Sequence, residues 1–428
     1  MHFLQKSALK KCKFCNIICV FQLKIVPLQP EMKSKNIIGM DTLFQFSTGR
    51  IEEVSLDFIR YAYSTIKWNG RMLGIVGPRG VGKTTLLLQY AKQQLEGQET
   101  LYVSMDMLYF ATHTIVEVAD RFYKNGGKHL LIDEIHKYPN WSRELKQIYD
   151  SYTDLHVVFT GSSILDIYRG SADLSRRAPI YYMQGLSFRE YLRLFHHIEV
   201  PIYSLNDILE HRAKLSGVSR PMQYFNAYLK DGYYPFARDV DFDRELMQVV
   251  TQTLETDIPQ YAQTNVSVGR KLKQLLTVVA QSVPFKPQMT TLANVTGISR
   301  NDIPDYLYYM ERAGMILQLR DDTGGIRGMG KVEKLYLDNP NLMYTLSSQA
   351  PERGNIRETF FLNQMRVQNH VLASRVSDFT IGEYTFEIGG RKKGKQQIED
   401  VPNGFIVKDD IEYGHHNVVP LWAFGLNY

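Results

Sequence analysis

Short apolar runs alternate with longer helix-like stretches between residues 71 and 182. Short apolar runs bounded by turn residues predict buried strands, and their alternation with helices is typical of a parallel sheet with crossover helices. The predicted strands are 72–76, 101–103, 129–132, 155–159 and 180–182. The pattern therefore predicts an α/β domain, which we place at residues 40–185.

The segments on either side of residues 265–345 have patterns that differ from that of the α/β domain. Residues 186–264 favour helices throughout, which predicts a helical connector or lid after the α/β domain. Residues 351–428 open with a helical stretch and continue with strand-like runs, which predicts a small α+β unit. The helical stretch is 356–367, and the strand-like runs are 379–381, 384–388 and 404–407. We call these segments the connector and the C-terminal unit.

Between them lies a segment with a third pattern, residues 265–345, which we call the winged unit. Leu272, Leu275, Leu276 and Val279 recur at the spacing of one helix face. Further helices are predicted at 290–296 and 301–313, and strands at 315–318 and 332–337 flank a glycine-rich loop. Three helices followed by a two-stranded wing are typical of a winged helix-turn-helix.

Composition and charge narrow the class of protein. Of the 428 residues, 44% are hydrophobic and 22% charged, which excludes collagen-like and disordered classes. Apolar runs stay shorter than the roughly 18 residues of a membrane span. The net charge of +5 comes from residues 1–35, because the rest of the chain has 43 basic and 44 acidic residues. A nearly neutral folded part does not favour DNA as a partner.

Residues 1–39 are predicted to be an N-terminal extension. The cysteines of the chain all lie in it: Cys12, Cys15 and Cys19. A metal half-site, a secretion signal and a membrane-surface anchor are three functional interpretations, but His2 is the only further local metal ligand and no cleavage site follows the apolar part. We favour a disordered extension or a misassigned start, with Met32 or Met40 as the first residue. A chain otherwise without cysteine suits the reducing cytoplasm.

The segment 77–84 matches the phosphate-binding pattern G-x-x-x-x-G-K-[ST] and lies between a predicted strand and a predicted helix at 84–94. Glycines let successive backbone N–H groups point at phosphate oxygens, and the helix N-terminus adds positive charge. We expect Lys83 to contact the β- and γ-phosphates and Thr84 to bind Mg²⁺. The predicted nucleotide-binding residues are Gly77, Pro78, Arg79, Gly80, Val81, Gly82, Lys83, Thr84 and Thr85.

Two carboxylates end the third predicted strand. Asp133 lies at the carboxyl end of a parallel strand beside the P-loop, where a carboxylate can hold Mg²⁺ through water. Glu134 is then the candidate base for the attacking water. The alternative for Glu134 is an acid favoured by a helix N-terminus. The pair favours hydrolysis over binding alone and over a small-molecule kinase, and GTP is disfavoured because no N-K-x-D segment occurs.

Further candidate residues follow the fourth predicted strand. Thr160 is a candidate to sense the γ-phosphate and position the lytic water, while Ser162 or Ser163 alternatively caps a helix. Arg176 and Arg177 are candidates to stabilise transition-state charge, in the same subunit or from a neighbour. A surface or interdomain ion pair is the alternative for the two arginines.

Four segments, in this order, resemble the archaeal-ATPase-like group of AAA-type P-loop ATPases: GPRGVGKTT, LLIDEIHKYPNW, VVFTGSS and RRAPIYYMQGLSFREYL. The resemblance covers about residues 51–428 and implies a sheet of strand order 5-1-4-3-2, ATP as the nucleotide and Glu134 as the catalytic base. In that group a winged helix and a domain of unknown function, related to PD-(D/E)XK nucleases, follow the ATPase domain. The resemblance implies no particular biological task.

In active nucleases of that fold, carboxylates gather Mg²⁺ and a lysine completes an E-x-K motif. Three acids of the C-terminal unit fit the carboxylate order: Glu358, Asp378 and Glu387. Gly389 stands at the lysine position, so Lys392 or Lys393 would have to reach back. We therefore expect a degenerate domain that serves interactions.

The predicted recognition helix of the winged unit is acidic, which disfavours contact with DNA phosphates. It carries Asp302, Asp305 and Glu311, with Arg300 and Arg312 at its ends. The wing offers Arg327, Lys331 and Lys334. We favour a protein-packing or lid role over DNA binding.

The sequence as a whole predicts a cytoplasmic, Mg²⁺-dependent ATPase that acts as a nucleotide-controlled switch, with a protein partner bound through its C-terminal units. The alternatives are a DNA-binding regulatory or defence protein that binds ATP with little turnover, and an ATP-gated nuclease. The sequence does not indicate an oligomeric state.

Overall fold

Five short apolar strands form the central sheet of the α/β domain. Every residue of the first strand is buried, as expected where helices cover both faces of a parallel sheet. The computed structural model describes residues 39–428 except 162–173, 175, 263–265, 324–329, 348 and 395. The strands are β1 Met72–Val76, β2 Thr100–Ser104, β3 His129–Asp133, β4 His156–Gly161 and β5 Ile180–Tyr182.

All five strands run parallel in the order β2-β3-β4-β1-β5. This confirms the expected order 5-1-4-3-2. Val76 at the end of β1 pairs with Gly161 of β4 and with Tyr182 of β5, so the carboxyl ends of the strands meet at one edge. The segments that leave β1, β3 and β4 emerge side by side at this edge, where open α/β sheets bind their ligands.

Helices pack on both faces of the sheet. The helices of this part are α1 Met40–Glu53, α2 Ala62–Thr65, α3 Lys83–Gln94, α4 Ile115–Lys124 and α5 Trp141–Ser151. Leu86 and Leu87 of α3 belong to the buried cluster that contains Val158 of β4. Trp141 of α5 contacts Phe159, whose side chain points to the opposite face because strand residues alternate.

The connector is helical, as predicted. Ser187 and Glu190 form a capping box at the start of its first helix. Its helices are α6 Phe188–His196, α7 Leu205–Leu209, α8 Pro221–Asp231, α9 Phe242–Gln252 and α10 Ile258–Ala262. A π-helical turn, Thr253–Asp257, joins α9 to α10.

The winged unit contains three helices and an antiparallel strand pair in the predicted order. They are α11 Val266–Ser282, α12 Met289–Thr296, α13 Ile303–Arg312, β6 Ile316–Arg320 and β7 Val332–Leu337, followed by α14 Pro340–Leu346. The four apolar residues with helical spacing, Leu272 to Val279, are buried. Arg327 of the predicted wing lies outside the described residues.

The C-terminal unit places one helix beside a mixed sheet. Its elements are α15 Arg353–Met365, β8 Val371–Ala373, β9 Phe379–Ile381, β10 Tyr384–Gly389, β11 Gly404–Lys408 and β12 Val418–Pro420. The order is β12-β11-β10-β9-β8, with β10, β11 and β12 parallel and β8 and β9 antiparallel to their neighbours. A 3₁₀ helix, Leu421–Leu426, ends the described fold.

One buried apolar cluster runs from Phe188 to Leu426 and includes residues of the connector, the winged unit and the C-terminal unit. Residues 40–428 accordingly form one compact unit, and the predicted boundaries inside it remain predictions. The cysteine segment lies outside the described residues. Among the helices that the structure describes, none is long and apolar enough to cross a membrane.

Candidate nucleotide-binding site

The loop after β1 has a shape that its glycines require. A Cβ on Gly77 would lie 2.1 Å from the carbonyl oxygen of Met183, the residue after β5. Gly80 and Gly82 have φ angles of 83° and 94°, in the left-handed region that side chains with a Cβ rarely adopt. The loop therefore needs glycine at these three positions, and α3 begins directly after it at Lys83.

Lys83 is buried and contacts the loop itself. Its ammonium donates hydrogen bonds to the carbonyl oxygens of Gly77, at 2.9 Å, and Pro78, at 2.8 Å. Burial lowers the pKa of Lys83 to about 8, although the carboxylates of Glu134 and Asp133 oppose this change. At neutral pH the ammonium is mostly charged and is held by neutral carbonyls, so a phosphate is a stronger acceptor for it.

Asp133 ends β3 and accepts hydrogen bonds from the hydroxyls of three residues. Thr84 donates at 2.8 Å and Tyr102 at 3.0 Å to the same carboxylate oxygen, and Thr160 donates to the other. The sheet order explains this cluster, because β2 and β4 flank β3 while the P-loop leaves β1 on the other side of β4. The structure thus brings together the two residues predicted to bind Mg²⁺, Thr84 and Asp133.

The oxygen atoms of this pair fit Mg²⁺. Hydroxyl and carboxylate oxygens are its usual protein ligands, and Mg²⁺ at phosphate sites takes its remaining ligands from phosphate and water. No group of three or more acidic, histidine or cysteine side chains suited to a metal occurs in the described part of the chain. A metal at Thr84 and Asp133 would therefore depend on a bound nucleotide.

Glu134 follows Asp133 in the left-handed conformation, with φ 54°. Its backbone N–H donates to the Thr160 hydroxyl at 3.3 Å, and its carboxylate lies 3.3 Å from the Lys137 ammonium. Burial alone would raise the pKa of Glu134, but the charges of His136, Lys83 and Lys137 hold it below its ordinary value. Because burial lowers the pKa of His136 to about 4, the effective cations near Glu134 at neutral pH are Lys83, Lys137 and Arg79.

A cavity of about 410 Å³ opens over the P-loop. The connector closes one side, where Phe236 lies 2.8 Å from the position that a Cβ on Gly80 would take. The cavity is lined by Arg79, Gly80, Gly82, Lys83, Thr84, Thr85, Glu134, Pro235, Phe236 and Asp239. The predicted phosphate ligand, metal ligand and base, Lys83, Thr84 and Glu134, therefore share one cavity.

Residues 69–192 match the family model of an AAA domain. The part of the chain that this model matches has a P-loop fold, and we call it the AAA domain after the model. Residues 222–353 match a domain of unknown function (DUF8612), which runs from α8 through the winged unit to the first residue of α15. No curated protein matches the chain.

The solved structures that share a likeness with the chain include the following two. The Walker-type ATPase PABY2304 of Pyrococcus abyssi is 14% identical and has a TM-score of 0.41, and the match covers 74% of this chain and 98% of that one. PCH-2 of C. elegans is 14% identical with a TM-score of 0.24, over 63% of this chain and 67% of that one. The assignment of the AAA domain depends on the match at residues 69–192 and on the cavity described above.

Within the AAA domain, Arg176 and Arg177 do not lie at the nucleotide cavity. They precede β5, which runs parallel to β1, so they lie at the sheet edge opposite the P-loop. Arg177 forms an ion pair with Asp150, at 3.1 Å, at the end of α5. The structure thus shows for Arg177 the ion pair that was the alternative, and contact with a γ-phosphate would require a neighbouring copy. Ser162 and Ser163 lie outside the described residues.

Several residues that contact the predicted site residues of the AAA domain carry no signal in the sequence. Tyr102 contacts Asp133 although 31 residues separate them, and the connector segment at Phe236 covers the P-loop from far along the chain. Lys137 stands three positions after Glu134, within a short 3₁₀ turn. A lysine near an acid in sequence is common, so only the fold shows which of them are partners.

The three acids of the C-terminal unit are matched by lysines. Lys334 of β7 lies 3.1 Å from Glu358 and 3.2 Å from Asp378. Lys393 contacts the carboxylate of Glu387, so this lysine does reach back from a later position. The ammonium of Lys334 occupies the place between two carboxylates where a metal would have to bind.

The predicted recognition helix, α13, abuts the AAA domain. Gly314, just after the helix, has φ 73°, and a Cβ there would lie 2.5 Å from Pro78 of the P-loop. Glu311 forms an ion pair with Arg320 at 3.0 Å, while Asp305 on the outer surface is exposed. Contact with the P-loop agrees with a packing role for this helix.

A larger cavity, of about 580 Å³, lies between the connector and the C-terminal unit. His211, Lys214, Tyr413 and Trp422 are among its lining residues. None of the predicted site residues lines it, so the candidate chemistry lies at the smaller cavity of the AAA domain.

Proposed function

We propose that the chain binds ATP with Mg²⁺ in the cavity over the P-loop and hydrolyses it to ADP and phosphate. The observation that supports this most is the convergence of Lys83, Thr84 and Glu134 on one cavity of about 410 Å³, with Asp133 hydrogen bonded to Thr84. Cavities of several hundred Å³ suit small ligands such as nucleotides.

The residues of the P-loop would bind the phosphates. Backbone N–H groups at the start of α3 point toward an anion at this position, and Lys83 would exchange its two carbonyl partners for β- and γ-phosphate oxygens. Thr84 and Asp133 would hold Mg²⁺, which supplies charge neutralisation for the phosphates when bound. Tyr102 and Thr160 would keep the Asp133 carboxylate in place through their hydroxyls.

Glu134 would accept a proton from the attacking water. Its lowered pKa keeps the carboxylate ionised at neutral pH, which a base requires, but the ammonium of Lys137 at 3.3 Å also weakens its basicity. Loss of the Lys137 contact would raise the proton affinity of Glu134. We therefore propose that Lys137 restrains the base until the pocket is occupied.

We also propose that the chain acts in the cytoplasm as a nucleotide-controlled switch whose C-terminal units bind a protein partner. The connector covers the P-loop through Phe236, and the winged unit contacts Pro78 through Gly314. Binding or hydrolysis of the nucleotide could therefore move the connector through Phe236 and the winged unit through Gly314. Arg176 and Arg177 would act on a neighbouring copy, because they lie at the far edge of the sheet.

The geometry disfavours both alternative functions. Lys334 lies between Glu358 and Asp378, where a nuclease would bind its metal. The α13 helix turns one end to the P-loop and presents the exposed acid Asp305. DNA binding and ATP-gated cleavage of DNA are therefore disfavoured.

The proposal is tested by phosphate release from ATP with the purified full chain. We expect release that requires Mg²⁺, stops with EDTA and is unchanged by duplex DNA. Absence of both ATP binding and phosphate release would refute the proposal. Stimulation by DNA would instead support the DNA-binding alternative.

A further inference from the structure

Arg79, the third residue of the P-loop, has two competing environments. It lines the cavity in which we propose that the phosphates bind. Its guanidinium also forms an ion pair with Asp257 of the connector, with Nη2 at 3.1 Å from each carboxylate oxygen and Nε at 3.4 Å from one of them. The guanidinium of Arg79 is therefore already paired with a carboxylate of the protein when the cavity is empty.

Asp257 depends on this partner. Its side chain is 8% exposed, against 24% for that of Arg79. Burial raises the pKa of Asp257, whereas Arg79 opposes this change. Arg79 is the one residue that forms an ion pair or side-chain hydrogen bond with Asp257 in the described part of the chain. Removal of Arg79 would leave a buried carboxylate without a counter-charge, which is strongly unfavourable.

Asp257 is the last residue of the π-helical turn Thr253–Asp257. Such turns are irregular and are frequent at functional sites. The other side of this turn rests on α11 of the winged unit, where a Cβ on Gly269 would lie 2.9 Å from the Cα of Glu255. Lys273 of α11 also pairs with Glu255 at 3.4 Å. The turn thus lies between the P-loop and the first helix of the winged unit.

A triphosphate in the cavity would compete with Asp257 for Arg79. A guanidinium pairs well with one carboxylate or one phosphate at a time through its paired N–H groups. The phosphates would also repel the nearby carboxylate, so the ion pair and the occupied cavity oppose each other. Because the π-helical turn contacts α11, a change in the partner of Asp257 would be felt by the winged unit.

We propose that the Arg79–Asp257 pair is a latch that phosphate binding opens, so that occupancy of the P-loop is transmitted through the π-helical turn to α11 of the winged unit. This proposal rests on the proposed function, since it requires a nucleotide at the P-loop. It adds the residues that couple the nucleotide to the later units. By linkage, the factor by which the nucleotide weakens the Arg79–Asp257 pair equals the factor by which formation of that pair weakens nucleotide binding.

The latch predicts that Asp257→Asn binds ATP more tightly, because the neutral amide no longer competes for Arg79. We expect the Kd for Mg²⁺ with the non-hydrolysable analogue AMP-PNP, measured by calorimetry, to fall by about fivefold or more. Asp241→Asn is the matched control, since it removes an exposed carboxylate of the same connector that does not line the cavity, and it leaves Arg79 paired. We expect it to change the Kd by less than about twofold.

The double variant Arg79→Ala/Asp257→Asn separates the latch from plain electrostatics. We expect the double variant to lose the gain in affinity, because the gain requires the released guanidinium. An equal gain in the double variant, or an equal gain in Asp241→Asn, would show that charge repulsion alone causes the gain and would overturn the latch. Thermal unfolding of each variant identifies one that fails to fold.

Hydrogen exchange of the native chain provides a test without substitutions. We expect AMP-PNP with Mg²⁺ to increase amide exchange in residues 253–262 and at the start of α11, as the latch opens. Unchanged or slower exchange there, in protein that binds the analogue, would overturn the latch while the proposed function stands. Failure of the native chain to bind ATP at all would instead refute the proposed function.

Discussion

The hydroxyl of Tyr102 donates a 3.0 Å hydrogen bond to the same carboxylate oxygen of Asp133 that Thr84 contacts at 2.8 Å. Tyr102 lies on β2 and is buried, so its hydroxyl is held in one place by the packing of the sheet. Desolvation raises the pKa of this phenol far above its ordinary value, and the Asp133 charge adds to the effect. The phenol therefore stays a donor at every physiological pH.

We expect Tyr102→Phe to weaken metal binding more than ATP binding. Without this donor the Asp133 carboxylate is less firmly oriented, and loss of such supporting bonds typically costs about tenfold or more in metal affinity. The Mg²⁺ concentration for half-maximal phosphate release should rise by about that factor, with the rate recovered at saturating Mg²⁺. Tyr90→Phe, a buried tyrosine stacked on Trp68, is the control, and an equal response of both variants contradicts the assignment.

Lys83→Ala is expected to abolish tight ATP binding. The variant removes the buried ammonium that we assign to the phosphates, and a charged hydrogen bond of this kind contributes about 1.5–3 kcal/mol. We therefore expect the Kd for ATP, measured by calorimetry, to rise by at least about tenfold. Lys124→Ala, an exposed lysine paired with Asp120, should bind like the native chain. Native affinity in Lys83→Ala contradicts the P-loop assignment.

Glu134→Gln should bind ATP normally and lose hydrolysis. The amide keeps the shape of the side chain but cannot accept the water proton, so phosphate release should fall by about 100-fold or more. Glu144→Gln is a matched control, because this carboxylate accepts from Tyr138 at 2.8 Å and does not line the cavity. A parental rate in Glu134→Gln would show that another group is the base.

Stability should fall in mild acid because of His136. Burial lowers its pKa from 6.5 to about 4 in the folded chain, so between these values the unfolded chain binds the proton more readily. Stability is therefore lost as pH falls from 6.5 toward 4, by about 3 kcal/mol over the whole window. Burial also lowers the pKa of His129, which acts in the same direction.

Thermal unfolding at pH 7 and pH 5 of the native chain and of His136→Gln measures this effect. The variant should lose much less stability between the two pH values, with a remainder from His129. Equal losses in both proteins would show that His136 is not responsible. Carboxylates such as Glu134, whose pKa is lowered, lose their contribution only at still lower pH, below their ordinary pKa near 4.5.

Lys334→Met should make the fold dependent on a divalent cation. The variant leaves Glu358 and Asp378 as neighbouring, partly buried acids without their shared ammonium, which should cost up to about 3 kcal/mol. Mn²⁺ should restore part of the melting temperature in this variant and leave the native chain unchanged. Lys331→Met, at an exposed lysine near the same strand, should show neither effect. A native melting temperature in Lys334→Met would contradict a stabilising role of this ammonium.

The sequence predicts the sheet of the AAA domain well, because each strand is a short apolar run buried on both faces. The strands at 72–76 and 180–182 lie where the pattern places them, and the others differ by one or two residues at their ends. The short strands β8 and β12, of three residues each, were not predicted. Both lie at the edges of their sheet, where strands are often short, and β12 ends in a proline, which is uncommon in strands.

The candidate site is predictable only where its residues are close in sequence. The P-loop and the Asp133–Glu134 pair follow local patterns with a physical reason at each position. Tyr102, Phe236 and Asp257 come from distant segments that the fold brings against Asp133, Gly80 and Arg79 respectively, and no spacing in the sequence predicts these contacts. Arg177 shows the converse, since a plausible local pattern lies at the wrong edge of the sheet for its own P-loop.

The buried cluster from Phe188 to Leu426 bears on how this protein can be dissected. Truncation at residue 264 or 350 would separate apolar side chains that are buried against each other in the intact chain and expose them to water. Fragments designed on the predicted boundaries should therefore aggregate, whereas single substitutions in the whole chain preserve this shared interior. The connector, the winged unit and the C-terminal unit therefore share one core, and their functions are best measured in the whole chain.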